Sequence, residues 1–109
     1  MIYEIVITEQ ADADLRKIYE YIAFELLSPD HAERQLGRLE KDIAGLEKFP
    51  ERFMPYRKES WHGRVLRMMP VDNYLVFYVV DKKSGIVTII RVMYAGRNVE
   101  KQLSDHTEM

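Results

Sequence analysis

The chain carries "RVMYAGRN" near its end, a stretch that sets Arg91, Tyr94 and Arg97 three residues apart. Upstream, "RKESWHGRVLR" gathers Arg57, Lys58, Glu59, Trp61, His62, Arg64 and Arg67. Guanidinium groups clamp phosphate oxygens with paired N–H donors, and Tyr or Trp offers a stacking face to an unpaired base. RNA cleavage without a metal needs a base for the 2′-OH, an acid for the leaving oxygen and cations for the charged intermediate. Glu59 or His62 suits the base, Tyr94 or His62 the acid, and Arg64, Arg67 and Arg97 the clamp. The same region also reads as a protein-binding surface made of Arg57, Lys58, Trp61, Arg91, Tyr94 and Arg97. Parity limits either reading, because Arg64 and Arg67, three apart on a strand, point to opposite faces, as do Arg91 and Tyr94. Each residue also has a plainer role: His62 as a surface turn residue, Trp61 as a packing residue, Arg91 as the surface partner of an acidic side chain.

Other chemistry is poorly represented. The chain has no Cys, and its three His, at positions 31, 62 and 106, are scattered. No G-x-S-x-G, phosphate-binding Gly loop or H-E-x-x-H occurs, so neither a metal nor a cofactor is expected. The net charge of −2 conceals an uneven distribution. Residues 1–51 sum to −6, residues 52–97 to +6 and residues 98–109 to −2. A basic block inside a slightly acidic chain fits a polyanionic partner, or the two halves neutralise each other across the fold. With 109 residues, 47% of them hydrophobic, one domain over 1–103 is expected, followed by a frayed tail at 104–109. The absence of Cys, of a secretory leader and of any apolar stretch of about 18 residues predicts a cytoplasmic protein with no membrane partner.

These residues need elements to place them. "IYEIVI" (2–7) reads as a strand, and Thr8 can cap the helix after it. Ala11, Leu15, Ile18, Ile22 and Leu26 draw one apolar stripe over about five turns. Ser28 and Pro29 open a second helix, striped by Ala32, Leu36, Leu39, Ile43 and Leu46 and stopped at Pro50. The polar "ERFMPYRKESWHG" reads as a loop. Strands follow at 64–69, 74–80 and 86–94, joined by "PVDN" and "DKKSG", in which Gly85 can take a positive φ. The order β-α-α-β-β-β predicts an α+β fold, with a helical hairpin on one face of a four-stranded, largely antiparallel sheet and the other face concave or partly open. "NVEKQL" (98–103) can add a short terminal helix.

Element order and motifs together resemble the RelE/ParE superfamily of type II toxin–antitoxin toxins over nearly the whole chain. The resemblance runs from "YEIVITEQADADLRKIYEYIA" through "LEKFPERF" to "LRMMPVDNYLVFYVVD" and "VTIIRVMYAGRNVE". The last segment is similar to the Val-x-His/Tyr-Gly-x-Arg-Asp/Asn ending of the ParE-like, plasmid-stabilisation branch. The resemblance implies a growth-inhibiting toxin neutralised by an antitoxin that wraps over its helices and sheet. It implies one of two targets, DNA gyrase for ParE-like members or mRNA on the ribosome for RelE-like endoribonucleases. RelE-like members place an arginine after the tyrosine that opens their third strand, whereas Leu75 stands there in "DNYLVFY". Their arginine after the last strand aligns with Ala95, two residues before Arg97. This incomplete clamp tips the expectation toward gyrase inhibition. A RelE-like mRNA interferase is the alternative, and a degenerate fold that only binds antitoxin is a third reading.

Overall fold

The computed structural model describes residues 1–61, 63–96 and 99–106, without the side chains of 57–61 and 104–106. Strand β1 (Glu4–Ile7) leads into α1 (Glu9–Glu20), and α2 (Pro29–Ala44) runs back beside it. A meander follows: β2 (Pro55–Trp61), β3 (Arg64–Val71), β4 (Tyr74–Asp81) and β5 (Ile86–Tyr94), then α3 (Val99–His106). The five strands form one sheet in the order β1-β5-β4-β3-β2, parallel between β1 and β5 and antiparallel elsewhere.

The sheet and the first helix both depart from expectation. The sheet has a fifth strand, because the polar segment expected to be a loop supplies β2 at the sheet edge. The residues of β2 are mostly polar and charged, its pairing with β3 shifts register between Pro55 and Ser60, and it starts on Pro55, a position where the missing N–H costs no ladder bond. Nor is the first helix continuous over five turns. After Glu20 it widens into a π turn at Tyr21–Glu25, closed by the Leu26 amide donating to the Tyr21 carbonyl. The inserted residue lets consecutive Ile22 and Ala23 both turn inward against Ala32. Leu26, on the expected stripe, is left 56% exposed.

The helical hairpin covers one sheet face. Ala11, Leu15, Leu39, Ile43 and Leu46 pack on Met69, Val76, Tyr78, Val87 and Ile89. Thr8 caps α1 as its position predicts: its hydroxyl accepts from the Ala11 amide at 3.1 Å and donates to the Ile90 carbonyl at 3.1 Å. Gly85 takes φ +71° in the β4–β5 turn. The opposite sheet face is not left open, for Leu66, Phe77, Val79, Ile90 and Met93 form a second cluster closed by Leu103 of α3. That helix reaches His106, past the expected stop at 103, and residues 107–109 of the expected tail lie outside the described residues.

One buried polar contact pins the segment between hairpin and meander. The Tyr78 hydroxyl donates to the Pro50 carbonyl at 2.6 Å, and burial pushes its pKa up to about 12. Tyr78→Phe leaves that carbonyl unpaired inside the core and is expected to cost about 1–3 kcal/mol in a urea unfolding titration.

Candidate functional site

The sheet register decides which candidate residues can meet. Tyr94 pairs with Tyr74 at the start of β4, whereas Arg64 lies across from Asp81 at its end and donates to that carboxylate at 2.8 Å. Seven residue steps at about 3.3 Å separate these positions by roughly 23 Å. Trp61 pairs with Arg64 in the β2–β3 ladder, so the end of β2 lies with Arg64 and away from Tyr94. His62, Arg97 and the side chains of Arg57, Lys58, Glu59 and Trp61 lie outside the described residues.

The described arginines of the basic block are held by the protein itself. Arg67 donates to the Phe53 carbonyl at 2.8 Å and the Glu51 carbonyl at 3.3 Å, and pairs with the Glu51 carboxylate at 3.5 Å. Arg52 donates to the carbonyls of Lys48 and Phe49 at 2.6 and 3.0 Å. Both guanidiniums serve to fasten the 48–53 segment.

Arg91 points inward, not to the surface. Strand β1 ends opposite Ile89, so the flank of β5 beyond that residue has no neighbouring strand, and α1 closes it. Asp14 accepts the Val92 amide at 2.9 Å, replacing the missing ladder bond. The same carboxylate takes Arg91 Nε at 2.7 Å and Nη2 at 3.0 Å, while Nη1 reaches the Gln102 carbonyl of α3 at 3.3 Å. The two side chains are only 8% and 12% exposed. A bulge in β5, where pairing steps from Phe77–Arg91 to Tyr78–Ile89, makes this turn of the chain possible.

Beside this ion pair lies a cleft of about 530 Å³, walled by Ile18, Tyr21 and Leu26 on the helical side and by Tyr74, Met93 and Tyr94 on the sheet side. Tyr74 and Tyr94 meet edge-on with ring centroids 5.8 Å apart. Burial above all, then the neighbouring phenols of Tyr94 and Tyr21, holds the Tyr74 hydroxyl above its ordinary range. Tyr94 is half exposed, and Gly96 lets its ring fold back on the chain, since a Cβ there would collide with it. Phe24 and Leu27, near the hairpin tip, are 66% and 82% exposed. The sequence singles out Tyr94 but not Tyr21 or Tyr74, which the fold brings beside it. No residue pattern signals the π turn that aims Tyr21, and Tyr74 reads as an ordinary strand opener.

The turn below the cleft is tied to α2. Asp72, at φ +54°, accepts from Arg38 Nε at 2.6 Å and Gln35 Nε2 at 2.9 Å. These bonds, Arg38's foremost, hold its carboxyl below the ordinary carboxylate value of 3.8. A lowered folded-state pKa stabilises the fold above the unfolded value and loses that contribution as pH falls through the folded one. The melting-temperature gap between wild type and Asp72→Asn is therefore expected to be constant near neutrality and to close below the unfolded value of 3.8.

The family model "ParE toxin of type II toxin-antitoxin system, parDE" matches residues 5–99. The chain belongs to the ParE toxin family. Solved structures agree on the fold. A chromosomal ParDE system from P. aeruginosa aligns with TM-score 0.68 at 18% identity, over 85% of this chain and 96% of that one. The archaeal RelE–RelB complex from Pyrococcus horikoshii OT3 aligns at 0.62 and 21% identity, covering 89% and 99%. The RelBE2 toxin–antitoxin complex of Mycobacterium tuberculosis aligns at 0.61 and 22%, covering 86% and 99%. No curated protein matches the chain in sequence. This ParE-family chain is thus a type II toxin of the RelE/ParE superfamily, and among its described residues no helix is long and apolar enough to cross a membrane.

Proposed function

We propose that this ParE-family protein inhibits growth by acting on DNA gyrase and is silenced by an antitoxin seated in the tyrosine-lined cleft. The observation that carries the gyrase reading is the separation of Arg64 from Tyr94 along the length of β4, each bonded at its own end. A phosphodiester spans a few ångströms, so Tyr94 as acid and Arg64 as clamp, roughly 23 Å apart, cannot serve one scissile bond. Engagement of Arg52, Arg67 and Arg91 with carbonyls and carboxylates of the chain supports the same reading. A protein target asks for no clamp, only for a surface, and Tyr94 presents one.

The cleft supports the antitoxin part. The apolar part of its lining, Ile18, Tyr21, Leu26 and Met93, fits the apolar stripe of an amphipathic segment whose polar side meets Asp14, Lys17 and Gln102. Two of the similar structures, the archaeal RelE–RelB and the mycobacterial RelBE2, are toxin–antitoxin complexes.

Purified protein added to a supercoiling reaction and to a translation reaction read by primer extension tests the target. Loss of supercoiling with intact mRNA is the expected outcome. Codon-positioned cuts would replace it with a RelE-like nuclease, and silence in both would leave an antitoxin-binding module. In cells, Tyr94→Ala and Arg97→Ala are expected to relieve growth arrest at equal protein level.

A further inference from the structure

Strand β1 is a sheet edge whose outer flank, from Ile5 onward, no described element covers. The amides of Glu4 and Thr8 donate to the Gly85 and Ile89 carbonyls of the β5 side, so the alternate residues turn their N–H and C=O groups outward. Of these, the Tyr3 amide is taken by the Glu47 carbonyl at 2.8 Å. Ile5 and Ile7 remain, with no partner among the described residues. Such edges are ordinarily protected by Lys, Pro or a covering element. Here the strand reads Glu4-Ile5-Val6-Ile7, with Val6 38% and Ile7 42% exposed.

We propose that this edge is the interface with a second copy of the chain, the two β1 strands pairing antiparallel about a two-fold axis at Val6 to join the sheets into one of ten strands. The free groups select this register. Pairing Ile5 with Ile7 of the partner subunit, and the reverse, uses all four outward residues of the pair. Setting Ile5 against its own copy would oppose Ile7 to Tyr3, whose amide is already engaged. The selected register also matches side chains. Ile faces Ile twice on the hairpin side, and Val6 faces its own copy on the other. Glu4 falls opposite Thr8, and the two Glu4 carboxylates stand about 13 Å apart along the ribbon. Apolar meets apolar and like charges stay apart, which is the complementarity an isologous contact requires. A foreign strand would need to supply this pattern, whereas the chain already contains it.

The absence of Cys makes the test clean. In this register Val6 and its copy are a non-hydrogen-bonded pair with Cα atoms about 4.5 Å apart, within the range a disulfide spans. Val6→Cys is expected to form a covalent dimer on mild oxidation, and Glu4→Cys is expected to form none. By light scattering on the purified 109-residue chain at tens of micromolar, the wild type is expected to run as a dimer. Val6→Lys should run as a monomer, and mixing it with Val6→Glu should restore the dimer. Since Val6 is solvent-facing in the protomer, circular dichroism should remain unchanged in all variants. A monomeric wild type, equal cross-linking of both Cys variants, or a Val6→Lys dimer would each overturn the proposal. None of these outcomes depends on the cellular target.

Discussion

Asp14→Ala is expected to destabilise the protein by about 3–5 kcal/mol, among the largest single-residue effects in the molecule. The substitution leaves the Arg91 guanidinium, 8% exposed, without its carboxylate, and strips the Val92 amide of its acceptor on the bare flank of β5. It also removes half of the link from α1 through Arg91 to the α3 carbonyl of Gln102. The loss should appear as a lowered urea midpoint with near-constant slope. Replacing both partners by apolar residues, Asp14→Leu with Arg91→Met, should recover much of it, because the main cost is a buried unpaired charge rather than a lost attraction. A double variant as unstable as Asp14→Ala would show that the Val92 amide bond dominates.

Tyr21→Ala is expected to weaken antitoxin binding by roughly 30-fold, equivalent to about 2 kcal/mol, as buried aromatic anchors do at protein interfaces. Tyr21 stands on the π turn, 46% exposed, and forms the helical wall of the cleft facing Tyr74 and Tyr94. Removing its ring takes away a large apolar contact without touching the core formed by Ala11, Leu15 and Leu39. Calorimetric titration of the antitoxin into wild type and variant measures the effect. A change under threefold would place the antitoxin elsewhere on the toxin.

The candidate site was only partly legible before folding. Parity on a strand correctly separated Arg64 from Arg67, and the unusual ending of β5 pointed to Tyr94. What parity could not give was distance along the sheet: Arg64 and Tyr94 belong to one candidate acid-and-clamp set, yet the register sends them to opposite ends of β4. The edge strand β2 was illegible because its segment PYRKESW is mostly polar and charged and pairs with a register shift, so it carries no regular apolar period. The π turn was illegible because a single inserted residue alters the periodicity only after Glu20.

By itself the sequence determined the hairpin stripes, the Thr8 cap, the three-strand meander and a family-like ending, all set by local periodicity and capping chemistry within a few residues. The tertiary structure alone decided what each charged group does. Arg91 meets Asp14 across 77 positions of sequence, Arg38 meets Asp72 across 34, and Tyr78 meets Pro50 across 28. A guanidinium has the same side chain whether it clamps a phosphate or braces a helix. Only the folded chain brings the competing carboxylate within 3 Å, and a guanidinium already paired and desolvated is poorly placed to bind a second anion.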